Sequence, residues 1–214
     1  MTEPVPLLSR REARRRDRRK AILEVASRSF LENGYAATTM SGIAATLGGS
    51  KGTLWRYFPS KEALFAACLD DATTAYREGL AEILDPRGDL AQTLRRLGLK
   101  LLEKVTAPDS VALYRLVISE AGRFPEMGAI FYEHVPRNTR LLITRFLERA
   151  MESGLLRRGD PDTAARTYMM LMLSGCHQLL LLGQITRATP HQIEADVTFG
   201  LDCFLRAYAP DAPG

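Results

Sequence analysis

An all-α chain is the fold class this sequence predicts, with a small N-terminal domain and a larger helical C-terminal domain. Three observations predict it. Strand signals are nearly absent, because no alternating Val/Ile/Thr run stands between turn residues. Helix starts and stops recur instead: a capping Ser, Thr or Asp precedes apolar residues at helical spacing, and Gly or Pro follows them. The 214 residues, 46% apolar and 25% charged, suit an ordinary globular protein with room for two such parts.

The elements follow in order. From Arg11 the chain sets Ile22, Leu23, Ala26, Phe30 and Leu31 on one helical face, and Asn33-Gly34 is a good C-terminal stop. Thr39 caps a short helix running to Leu47, and Gly48-Gly49 breaks it. Ser50 caps the next, which ends near Phe58-Pro59. Ser60 opens a long helix through about Leu84, stopped by "DPRG". Further helices are expected over Asp89 to Thr106 and Asp109 to Arg123. A segment from Pro125 to Ser153 should kink or split at Pro136. Asp160-Pro161 and Thr189-Pro190 each pair a capping residue with Pro at the first helical position, opening helices over about 161–183 and 190–208.

Charge is distributed unevenly. Residues 1–65 hold 12 Lys and Arg against 6 Asp and Glu, whereas the rest hold 17 against 19. The positive excess sits in the first third, which points to a polyanion partner there. Within it, residues 1–16 read as a basic flexible arm. Cations from Arg10 to Lys20 repel one another at helical spacing and oppose the dipole at a helix N-terminus, so mobility is expected up to about Arg14.

No apolar leader core precedes the arginines, and Cys68, Cys176 and Cys203 are odd in number and widely spaced. A reduced, cytoplasmic setting is expected. The most apolar run, Tyr168 to Leu182, is too short to span a bilayer, so no membrane partner is expected.

The stretch Leu47 to Lys61, "LGGSKGTLWRYFPSK", sets small residues, aromatics and cations side by side. Two short helices joined by a glycine turn are the elements of a helix-turn-helix. Ala44 is small enough for the helices to cross closely, Gly48 can take the positive φ of the turn, and Ile43, Leu47 and Leu54 form the seam. The outward face of Lys51–Tyr57 is then left for the major groove. Lys51 and Gly52 allow close approach, Thr53 can touch a base edge, and Arg56 can pair bidentately with guanine. Trp55 and Tyr57 offer flat contacts to sugars and donors to phosphates, while Lys61 adds a cation at the next helix start. Thr39 and Ser50 join this DNA-binding set as the caps. Phe58 reads as core.

The segment "AILEVASRSFLENGYAATTMSGIAATLGGSKGTLWRYFPSKEALF" resembles the N-terminal domain of TetR/AcrR-type transcriptional regulators, over about residues 17–77. Gly49 departs from the small apolar residue usual there, and Trp55 from the usual Tyr. "YRLVISEAGRFPEMGAIFYE", Tyr114 to Glu133, is similar to the AefR-like branch of that family. The resemblance implies that residues 78–214 bind a small-molecule effector and dimerise through the last two helices. It makes the protein a homodimeric repressor on a double-stranded, pseudo-palindromic DNA operator. A constitutive DNA-binding protein without ligand control is the alternative.

Tyr114, Phe131 and His177 are the candidate pocket residues for a small, mostly apolar effector. Met127, Met151, Met169, Met170 and Met172 read mainly as core. The last two helices carry apolar residues on more than one face, and Leu173, Leu180, Val197, Leu201 and Phe204 are the candidate dimer face. Ser174-Gly175 would let backbones approach closely there. His134, His177 and His191 show no metal-ligand spacing, no nucleophile or phosphate-loop motif occurs, and no catalytic residue, metal or cofactor is expected. Glu120 and Arg123 read as an i,i+3 ion pair.

Overall fold

The computed structural model describes residues 10–48, 51–84 and 88–210. Among the described residues it is built of helices with no strand. They are α1 (Arg10–Ala37), α2 (Met40–Thr46), α3 (Lys51–Tyr57), α4 (Lys61–Ile83), α5 (Leu90–Val105) and α6 (Pro108–Glu120), then α7 (Pro125–Tyr132), α8 (Asn138–Glu152), α9 (Pro161–Leu173), α10 (Cys176–Leu181) and α11 (Pro190–Tyr208).

The caps read from the sequence form as side-chain hydrogen bonds. Thr39, Ser60, Asp160 and Thr189 each accept from a backbone N–H in the first turn of their helix, Thr189 with Gln192 completes a capping box, and the structure adds Asp89 as the cap of α5. Pro136 lies within a π-helical turn, Glu133–Arg137, that joins α7 to α8. A wider turn accommodates a residue that has no N–H to give and a ring that crowds the preceding turn.

Two extended cores divide the molecule. One gathers α1 to α3 and the first half of α4 around Phe30, Tyr35, Leu54, Phe58, Leu64 and Phe65, and is completed by Val117 of α6 and by Met127 and Phe131 of α7. The other packs the end of α4 with α5, α8, α9 and α11 around Leu94, Phe146, Tyr168, Met172 and Phe204. Tyr168 sits at its centre, with its hydroxyl donating to the Leu94 carbonyl at 2.6 Å. α4 belongs to both cores, so the two parts of the chain share one long strut.

Three expectations are corrected. Arg10 to Arg16, part of the expected flexible arm, form the first turns of α1, while residues 1–9 lie outside the described residues. Arg is a good helix former, and Glu12, Asp17 and Glu24 are interspersed among the cations, with Lys20 and Glu24 paired at 3.9 Å.

The single helix expected over 161–183 is two, α9 and α10, parted at Ser174-Gly175. There the Asp196 carboxylate accepts from the Cys176 N–H at 2.7 Å, and it fills the space a side chain at Gly175 would need. Gly175 therefore serves an internal contact.

The residues proposed for the dimer face turn inward. Val197 and Phe204 are fully buried, Leu180 and Leu201 nearly so, and Leu173 is half-buried against the second core. What α9 and α11 leave outside is Met170, 62% exposed, and Phe199, 63% exposed. Apolar residues do lie on more than one face, but the rotation of each helix is fixed by packing around Tyr168 and Met172. Gly200 brings α11 onto α9, since a Cβ there would lie 3.3 Å from the Leu171 carbonyl carbon and oxygen.

Candidate nucleic-acid interface and the cavity behind it

α2 and α3 cross as a helix-turn-helix. Ile43, Ala44 and Leu54 are buried between them, and Gly48 takes φ +62° in the turn, where an L side chain would be strained. Ser50 and the Lys51 side chain lie outside the described residues. Trp55 is 48% exposed, Arg56 is exposed, and Tyr57 is half-buried with its ring 6.5 Å from that of Phe58. Open space surrounds the position a Cβ at Gly52 would take, so another backbone can come close there. Thr53 is half-buried, and Thr39 is exposed with its hydroxyl accepting from the Gly42 N–H at 3.0 Å. Phe58 is buried under the Arg19 guanidinium, 5.5 Å from its ring centre.

Lys61 is placed differently from the other cations. Its ammonium donates to the carbonyls of Tyr35, at 2.7 Å, and Thr38, at 3.2 Å, and stands 4.0 Å from the Tyr35 ring centre. Burial lowers its pKa, and the carboxylates of Glu62, Glu120 and Glu126 oppose that. The phosphate contact expected of Lys61 thus competes with a brace on the α1–α2 connection.

Glu120 braces the same connection. Its carboxylate accepts from the N–H groups of Tyr35, at 3.0 Å, and Ala36, at 2.9 Å, and does not form the expected pair with Arg123. Arg123 instead lies over the Phe124 ring. Gly34, at φ +81° and ψ 167°, breaks α1 and turns those two N–H groups outward. No sequence signal reveals this contact, because its partners are 85 residues apart.

Behind the first helices lies a cavity of about 390 Å³. It is walled by α1 (Ser27, Phe30, Leu31), by α4 from Phe65 to Tyr76, and by residues of α5 through α10. Tyr114, Phe131 and His177, the candidate pocket residues, are all in its wall. Tyr114 stands perpendicular to both of the others at 5.6 Å. Tyr76 was missed: its site exists only where several helices converge. Burial lowers the pKa of His177, keeping the imidazole neutral at pH 7.

The sequence profile of bacterial regulatory proteins of the TetR family matches residues 22–68, and that of the AefR-like transcriptional repressor C-terminal domain matches residues 92–210. The chain belongs to the TetR family. This TetR-family protein is a DNA-binding transcriptional regulator. It is similar in structure to the flavonoid-responsive regulator FrrA, with a TM-score of 0.76 and 35% identity over 92% of this chain and 99% of that one. In sequence it is 30% identical to the transcriptional repressor AcnR of Corynebacterium diphtheriae, over 74% of this chain and 78% of that protein. A TetR-family regulator of Mesorhizobium loti shares the fold, with a TM-score of 0.79, 23% identity and coverage of 92% of this chain and 98% of that one. No described helix is long and apolar enough to cross a membrane. Among the described residues, no group of three or more His, Cys, Asp and Glu could hold a metal ion.

Proposed function

We propose that this protein is a homodimeric repressor whose grip on a pseudo-palindromic operator is released by a small molecule bound in the 390 Å³ cavity. The observation that carries this reading is the cavity's wall. It includes Ser27, Phe30 and Leu31 of α1, so the helix that supports the reading head is also a wall of the ligand space.

α6 supplies the second link. Asp109, Ser110, Leu113 and Tyr114 line the cavity, while Glu120 at the other end of the same helix holds Tyr35 and Ala36. A ligand that pushes α6 would move both ends of a rigid rod, and the two reading heads of a dimer would lose their common spacing. The head itself is α3, with Gly52 allowing close approach, Thr53 and Arg56 offered to bases, Trp55 and Tyr57 to sugar and phosphate, and Thr39 to the flanking backbone.

The family supports dimeric assembly on DNA with small effectors, and FrrA is named as flavonoid-responsive. The protein would act in the cytoplasm, where DNA is accessible. The deciding experiment is to select DNA fragments on the purified protein, sequence them, and titrate the winning site with candidate effectors. Recovery of a two-fold-related motif that effectors displace supports the reading; retention of DNA without sequence preference overturns it.

A further inference from the structure

Two polar atoms in the cavity wall have no hydrogen-bond partner: the hydroxyl of Tyr76 and Nε2 of His177. His177 is only 4% exposed. Thr139 lies beside the Tyr76 hydroxyl, but no hydrogen bond of ordinary geometry forms between them. A buried donor or acceptor without a partner is costly, and both side chains belong to the wall of an open space. Something that enters the space can satisfy both.

The charge pattern narrows what that is. Burial lowers the pKa of His177 and raises that of Tyr76, so both are neutral near pH 7. The ionisable groups in the wall that carry charge are Lys104 and Asp109, of opposite sign, and the Lys104 ammonium is held by the Ala72 carbonyl at 2.8 Å. With one charge of each sign the wall has no net charge, so a ligand with net charge would enter at a high desolvation cost. A neutral imidazole and a phenol each both donate and accept, and a hydroxyl is a neutral group that answers either. The remaining wall is apolar and aromatic, including Phe65, Tyr114 and Phe131, which favours ring-bearing ligands.

We propose that the cavity takes a neutral phenol: an aromatic molecule whose hydroxyl groups bond the Tyr76 hydroxyl and Nε2 of His177. This rests on the effector-controlled reading above and specifies its ligand class. Carboxylates and amines of the same size are disfavoured, because the wall carries no net charge to offset theirs.

The test uses the full-length protein and isothermal titration with two phenols of different length, dihydroxybiphenyl and a trihydroxyflavanone. Their O-methyl ethers and biphenyl dicarboxylate serve as comparisons. At least one phenol should bind, its ether about tenfold or more weakly, and the dicarboxylate not at all. Tyr76→Phe and His177→Phe should each lower phenol affinity about tenfold, the worth of one buried hydrogen bond, and change ether affinity by less than about twofold. Circular dichroism and melting check that each variant folds, and two variants are used so that one remains informative.

The proposal is overturned if neither phenol binds, if ether and phenol bind alike, if the dicarboxylate binds best, or if both variants keep full phenol affinity. Operator affinity measured in the same samples separates the two readings. A phenol that binds with this pattern and leaves operator affinity unchanged supports the ligand class and sinks effector control. Displacement of operator by a charged compound alone does the reverse.

Discussion

The Glu120 carboxylate holds the Tyr35 N–H at 3.0 Å and the Ala36 N–H at 2.9 Å, tying the end of α6 to the kink in α1. Gly34 makes this possible. Its positive φ presents the two N–H groups, and a Cβ there would stand 2.6 Å from Glu120 Oε1. Glu120→Ala is predicted to cost about 1–2 kcal/mol of stability, since these are charge-assisted bonds at a half-buried site. It should also weaken the effect of effector on operator affinity. Gly34→Ala should destabilise further. A Glu120→Ala protein that melts with the wild type and responds fully to effector would show that the clamp transmits nothing.

Lys61 offers a choice between two roles that salt can separate. As a brace on the Tyr35 and Thr38 carbonyls, its replacement by Met should lower operator affinity without altering the salt dependence. As a phosphate contact, its loss should reduce the slope of log affinity against log salt by about 0.9. The geometry predicts the first result. A reduced slope in a filter-binding series would restore the phosphate role.

Arg56 is exposed near the end of α3 and is the expected base reader. Arg56→Ala should cost about 1–3 kcal/mol of specific affinity and relax preference at one operator position. Trp55→Ala should weaken all sites alike. Selection experiments that return an unchanged motif for Arg56→Ala would assign base reading elsewhere.

For the dimer, Met170→Glu with Phe199→Glu should give a folded monomer with little operator affinity, because these side chains are the large apolar ones that α9 and α11 leave outside. Phe204→Glu should instead unfold the larger domain, since a buried unpaired charge costs several kcal/mol, about the whole stability of many domains. Light scattering and circular dichroism distinguish the two. A Met170/Phe199 double variant that stays dimeric would place the partner on another face.

His177 sets a pH dependence. Burial holds its folded-state pKa below the ordinary 6.5, so as pH falls through 6.5 the unfolded chain takes up a proton that the folded chain does not. Stability therefore decreases on acidification in that window, by at most about 1.4 kcal/mol per pH unit for one proton. Denaturant unfolding of wild type and His177→Phe between pH 7.5 and 5.5 should show a steeper fall for the wild type. Parallel curves would mean that the imidazole protonates freely in the folded state.

Local chemistry explains what could be read from the residues alone. Thr39, Ser60, Asp160 and Thr189 mark helix starts because each satisfies N–H groups within its own first turn, and Gly48 marks the reading-head turn because its φ is positive. The helix-turn-helix was legible for the same reason, since its parts lie within about twenty residues of one another. Apolar periodicity showed that α9 and α11 had more than one greasy face, but only packing around Tyr168 decided that Val197 and Phe204 point in while Met170 and Phe199 point out. The split at Gly175 required Asp196, the clamp on Tyr35 required Glu120, and the unpartnered Tyr76 and His177 required helices from across the chain to enclose one space. Sequence determines the interactions that close over a few residues. Contacts between distant residues depend on how each helix is rotated, and that rotation is set by the packed core as a whole.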